Sequence, residues 1–166
     1  MVFKLCCKCG LFFRGLTHDL SKYSPKEFFE GVKYYTDGKS SPNKRSREQK
    51  GYSAAWLHHK GRNKHHIEYW FDEEAKEQAL IPFKYLAESV CAKIAATKCY
   101  KGKSYKQQDV VDYWHNNSSK LTMNPRVKEF FETVLTDLAN QGEDYILRKS
   151  YLKDKYNQIV KGESKN

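Results

Sequence analysis

Five of the six histidines fall in two short segments, THDLSKYSPKEF (17–28) and AWLHHKGRNKHHIEYW (55–70). Imidazole nitrogens and carboxylate oxygens together suit a divalent cation, and the adjacent pair His18 and Asp19 offers one of each. Lys22, three residues after Asp19, stands where an ammonium group would meet a phosphate beside that ion. A plainer reading of the pair is a surface histidine next to a helix-capping aspartate. In the second segment His58 and His65, or His59 and His66, are seven apart and would share one helical face if the helix ran unbroken. Gly61 and Asn63 argue for a break, so that His58 or His59 closes one helix and His65 or His66 opens the next, both turned toward His18 and Asp19. Arg62 and Lys64 add charge for phosphate, Arg62 with a geometry for two parallel hydrogen bonds. One ion does not need four imidazoles, so at least one is expected to be a hydrogen-bonded packing residue. Trp56, Tyr69 and Trp70 read as core.

The elements that must position these groups are helices. No sustained alternation of β-branched residues and no Asn-Gly turn is present, and the expected fold class is all-α, one compact domain over 1–160 with six or seven helices and a frayed tail at 161–166. Ser24, Pro25 and Glu27 predict a capped helix start, with Phe28, Phe29, Val32 and Tyr35 along one side. The polar stretch 36–51 reads as a loop, followed by a helix from Tyr52 to about Lys60. Pro82 opens the most apolar helix, expected to be central. Ser104 with Gln107 predicts a further cap, Asn124 with Pro125 another, closed by Gly142, and a last helix is expected from about Glu143 to Val160. Near the start, Phe3, Cys6, Cys7 and Gly10 fit a small-residue helix face, which makes packing a better reading of Cys6 and Cys9 than zinc, since no second pair follows at similar spacing.

With 166 residues and 24 aromatics (12 Tyr, 9 Phe, 3 Trp) the chain can bury a core, which excludes disorder over most of its length. No stretch approaches the roughly 20 apolar residues of a membrane span. No membrane partner is expected, and five cysteines without a secretion signal suit reduced thiols in the cytoplasm. Lys plus Arg is 30 against 20 acids, a net +10 that favours anionic partners. Eight of the basic residues lie between Lys39 and His66, which allows nucleic acid as a partner, although no known nucleic-acid-binding motif accompanies them.

GLTHDLSKYSPKEF resembles the HDxxK signature of the HD-domain superfamily of metal-dependent phosphohydrolases. More closely, that segment, KGYSAAWLHHKGRNKHHIEYW and PFKYLAESVCAKIAA together resemble an uncharacterised bacterial and phage family, a domain of unknown function sometimes labelled catalase, over about Val2 to Gly142. The resemblance implies an HD-like helical domain and a divalent ion, with Mn, Fe, Mg and Zn not distinguishable, held among His18, Asp19, His58, His59, His65 and His66. It implies no haem. The activity it implies is hydrolysis of a nucleotide or other phosphoester, with Asp19 and Lys22 catalytic and Lys22, Arg62 and Lys64 binding a phosphorylated small molecule. Two positions depart from the pattern: no histidine precedes His18, and Ala92 stands where the close family carries an Asp, with Glu88 one turn earlier. An incomplete ligand set and weak activity are therefore expected. The alternatives are a non-catalytic binding or regulatory protein on the same fold, and a basic nucleic-acid-binding module.

Overall fold

The structure, a computed structural model, describes residues 1–36 and 40–163, and it is all-helical, with no strand among the described residues. Its α-helices are α1 (Val2–Lys8), α2 (Phe12–Thr17), α3 (Pro25–Lys33), α4 (Pro42–Lys50), α5 (Ala54–Arg62), α6 (Phe83–Lys101), α7 (Gln108–Ser118), α8 (Pro125–Gln141), α9 (Glu143–Ile146) and α10 (Lys149–Lys155). The ten among the described residues exceed the expected six or seven because the last helix is subdivided, part of an expected loop is helical, and the stretch before Asp19 forms two short helices, α1 and α2. The last helix breaks at Leu147 and Arg148 and resumes as α10, which runs into a π-helical turn, Tyr156–Lys161. Part of the stretch read as a loop is helix: Pro42 occupies the first turn of α4, where its missing N–H is harmless, and Gly51 at φ 79° ends it.

α6 is the central element, as expected. Leu86, Val90, Cys91 and Ile94 are fully buried along it, and α8 packs nearby with Phe130, Phe131, Val134, Leu135 and Leu138 equally enclosed. Burying each such side chain stabilises the fold by about 1.5–3 kcal/mol. Asn124 caps α8 as predicted, accepting from the Arg126 N–H at 3.0 Å. The predicted Ser104 cap does not form; its hydroxyl donates to the Lys101 carbonyl, while Asp109 accepts from the Lys106 N–H at 2.7 Å. The expected tail divides: Val160 is buried and Lys161 ends the π turn, whereas 164–166 lie outside the described residues.

α1 presents Leu5 and Cys6 inward, and Cys9, which caps it, meets Cys91 Sγ of α6 through its own Sγ at 3.7 Å, so the buried face is not the predicted one through Cys7 and Gly10. α2 lies so close to α1 that a Cβ on Gly15 would stand 2.7 Å from Cys6 Cβ. That approach sets the direction in which Arg14, one residue earlier, enters the protein.

α3 and α5 are joined through a carboxylate. Glu30 accepts from the Ser53 hydroxyl at 2.6 Å, the Ala55 N–H at 3.2 Å and the Lys50 ammonium at 2.8 Å. Burial works against its ionisation, but those three donors outweigh it and hold its carboxyl down to about 2 from an ordinary 4.5. A carboxyl depressed in the folded state stabilises fully above its unfolded pKa and progressively less as pH falls toward its folded one. Glu30→Ala should therefore lower stability at neutral pH by about 1–2 kcal/mol. It should also flatten the loss of stability between pH 4.5 and 2; urea unfolding across that range checks both.

Candidate metal centre

The site begins with a backbone reversal. His18 leaves α2 in an extended conformation (φ −57°, ψ 127°), and Asp19 then adopts the left-handed region at φ 59°, alone among the described non-glycine residues. For a residue with a Cβ this costs about 1–2 kcal/mol, and Asp is among the few that tolerate it. The reversal starts a 3-10 turn, Leu20–Tyr23, and aims His18 and Asp19 at one point. From the other side, α5 delivers His59 in its last turn before Asn63 ends the helix. A tight turn closed by His66 N–H donating to the Asn63 carbonyl at 3.0 Å then returns His65 and His66 to the same place. The break predicted at Gly61 or Asn63 occurs at Asn63, whose amide donates to the His59 carbonyl at 2.9 Å and to Ser21 Oγ at 2.7 Å.

Asp19 is the hub. Its Oδ1 lies 3.3 Å from His59 Nε2 and 3.6 Å from His65 Nε2, and its Oδ2 lies 3.3 Å from His18 Nε2. One ligand atom each from Asp19, His59, His65 and His66 falls within a mutual 4.8 Å, and His18, His65 and Glu88 form an overlapping group. Carboxylates stand behind the rings. Glu27 approaches His59 Nδ1 at 2.8 Å, and Glu88 Oε1 approaches His18 Nδ1 at 3.0 Å and His65 Nδ1 at 3.5 Å. At His18 and His59 the carboxylate at Nδ1 favours a proton there and turns Nε2 toward Asp19, the arrangement that orients metal-ligating histidines.

The electrostatics follow. Glu88 is fully buried; burial opposes its charge, yet His18, His65 and Arg14 hold its carboxyl down to about 2. Two Arg14 guanidinium nitrogens sit 2.6 and 2.7 Å from its Oε2. Burial likewise opposes protonation of His18, but Asp19 and Glu88 prevail and raise it to about 9. Asp19 is held far below the usual carboxylate range by His18 and His59 in spite of its burial. His66 goes the other way: burial, reinforced by His65 and His59, pushes it down to about 2, so its ring is neutral at any physiological pH.

Asp19 Oδ1, His65 Nδ1 and His66 Nε2 are buried and have no hydrogen-bond partner. Such orphans are costly in a protein interior and call for a ligand. Three imidazoles and a carboxylate are the donor set of a borderline divalent cation, so the residues present fit a metal ion. The sequence profile of a family of unknown function, DUF5662, matches residues 1–137. The chain belongs to the DUF5662 family. The match spans every residue of the site just described. No match was found among curated proteins or among solved structures.

In this DUF5662 protein the residues singled out in the sequence divide into three sets. His18, Asp19, His59, His65 and His66 converge. His58 does not join them: its Nδ1 turns to Glu27 at 2.7 Å, making it the packing histidine of the four. Lys22 pairs with Asp19 Oδ2 at 2.6 Å, whereas Arg62 is exposed with no ion pair among the described residues and Lys64 lies over the Tyr69 and Tyr85 rings. Trp56 is half-buried and stacks on His59, with the Arg47 guanidinium 5.6 Å from its ring centre. Lys39 lies outside the described residues.

Three supporting groups went unread. Glu27 reads as the second half of a capping box, and Ser24 Oγ does accept the Glu27 N–H at 3.4 Å, but the Glu27 side chain serves His58 and His59 instead of returning to the cap. Arg14 gives no local signal. Glu88, considered as a ligand in place of a residue at 92, is held by Arg14 and braces His18, with His65 Nδ1 3.5 Å away. Protein purified without chelator is expected to carry a divalent ion by element analysis, to lose it in His65→Ala and to keep it in His58→Ala. Glu27→Gln should weaken affinity about 10–100-fold in a chelator competition. Equal loss from His58→Ala and His65→Ala would refute this division of roles.

Proposed function

We propose that this protein is a divalent-metal protein on an HD-like helical scaffold whose site hydrolyses a phosphoester. The observation that carries the metal is the convergence of Asp19, His59, His65 and His66 with three orphaned polar atoms among them. The likeness of His18, Asp19 and Lys22 to the HDxxK signature supports the reaction class. An ion in that position supplies Lewis acidity toward a phosphoryl oxygen and toward attacking water.

The chain's own residues do the rest. Glu27 holds the His59 ring and Glu88 the His18 ring in the orientation that faces Asp19, so little reorganisation is needed when substrate arrives. Lys22 is exposed along its length while its ammonium rests on Asp19, which keeps a positive charge at the mouth of the site to meet a phosphate. Arg62, free of internal partners among the described residues, is the second cation for a phosphorylated small molecule or nucleotide, and Lys64 is a third beside the Tyr69 ring. The ligand set departs from the HD pattern at Ala92 and lacks a histidine before His18, so turnover should be slow, below about 1 s⁻¹.

The test is hydrolysis of a nucleotide panel and a generic phosphoester with added Mn²⁺ or Mg²⁺. Expected is ion-dependent release of phosphate or alcohol, reduced at least about 100-fold in His59→Ala. It should fall about tenfold, mainly through KM, in Lys22→Ala. Ion binding without turnover of any phosphoester would make this a binding or regulatory protein. Affinity for RNA or DNA that falls with salt and ignores the ion would make it a nucleic-acid module.

A further inference from the structure

The segment from α2 to α3 is built inside out. α2 sends Arg14 and Gly15 inward and leaves Phe12, Phe13 and Leu16 in solvent. α3 sends Glu27 and Glu30 inward and leaves Phe28, Phe29 and Val32 in solvent. Between them Leu20 and Tyr23 also point out. Each of these eight side chains is more than half exposed, Phe13 at 77% and Tyr23 at 80%. Scattered exposed apolar residues need no explanation, but eight of them between Phe12 and Val32 are a concentration that calls for one.

The charges on the same stretch select the partner. Its three acids all serve the interior: Asp19 at the histidines, Glu27 on His58 and His59, Glu30 on Lys50 and Ser53. Lys26 and Lys33 remain exposed, Lys22 is exposed along its stem while its ammonium rests on Asp19, and Lys4 extends the series on α1, where Phe3 packs edge-on against Phe12 at 5.3 Å. A second copy of the chain would bring lysines against lysines with no carboxylate on the face to answer them. Large aromatic and aliphatic side chains flanked by lysines alone are what an interfacial contact with anionic lipid requires.

We propose that the outward face of α2, the Leu20–Tyr23 turn and α3 adsorbs to anionic lipid bilayers, the apolar side chains entering the headgroup boundary and the lysines meeting lipid phosphates. This does not depend on the metal reading. It also needs no spanning helix, and none among the described residues is long and apolar enough to cross a membrane.

The experiment is co-sedimentation of the full chain with vesicles of phosphatidylcholine containing roughly a third phosphatidylglycerol, against pure phosphatidylcholine, in about 0.1 M salt. Binding is expected to the anionic vesicles only. Phe13→Ser with Phe29→Ser should weaken it about tenfold or more. Lys26→Glu with Lys33→Glu should weaken it comparably, with the helical circular dichroism of both variants unchanged. No binding to anionic vesicles, or binding that survives the double Phe replacement, would overturn the proposal. So would a concentration-dependent dimer in sedimentation velocity that the same replacement dissolves, since the face would then be a self-contact.

Discussion

One buried carboxylate organises this protein. Glu88 sits in the middle of the most apolar helix, at a position whose neighbours Ala87, Val90 and Cys91 are fully enclosed. A charge there is tolerable only if every lone pair is answered, and breaking such a pair is far more damaging than never having formed it. Arg14 answers one oxygen and His18 the other. Both come from the first twenty residues, so the charge on α6 dictates how α2 must lie and where the chain must reverse. The contact of Gly15 with α1 is the packing that permits it. Glu27 repeats the device on the opposite side, binding α3 to α5 through His58 and His59.

The same demand explains the surface. A short helix has one inward face, and where that face must carry Arg14 or Glu27 and Glu30, the apolar residues of the helix have only solvent left. The usual relation between amphipathicity and burial is thereby reversed over α2 and α3, while α8, which serves no polar centre, obeys it with Phe130, Phe131, Val134, Leu135 and Leu138 turned in.

The sequence was most legible where local rules and tertiary packing agree. Asn124 before Pro125 and the periodic apolar residues after Pro82 place α8 and α6 correctly, because capping and burial are set within a few residues. His18, Asp19, His59, His65 and His66, singled out by residue type, spacing and family resemblance together, lie close to one another in the fold. What could not be read was the identity of the odd histidine. His58 and His59 are adjacent and chemically identical, and only the path of α3 across α5 decides that His59 reaches Asp19 and His58 stops at Glu27. Arg14 was invisible for a related reason: its partner lies 74 residues away. The short α4 was missed because its residues are polar all round; Pro42 and Gly51 bound it, and no apolar stripe announces it.

The left-handed conformation of Asp19 has a consequence for how position 19 can vary. Two independent requirements meet in that one side chain: a backbone geometry open mainly to Gly, Asn and Asp, and a carboxylate short enough to sit among three imidazoles. Asn satisfies the first and loses the charge; Gly satisfies the first and brings no oxygen; Glu keeps the charge in a backbone it tolerates poorly and at the wrong reach. Aspartate alone among the twenty meets both, so Asn or Gly at position 19 would keep the reversal and give up the charge among the imidazoles.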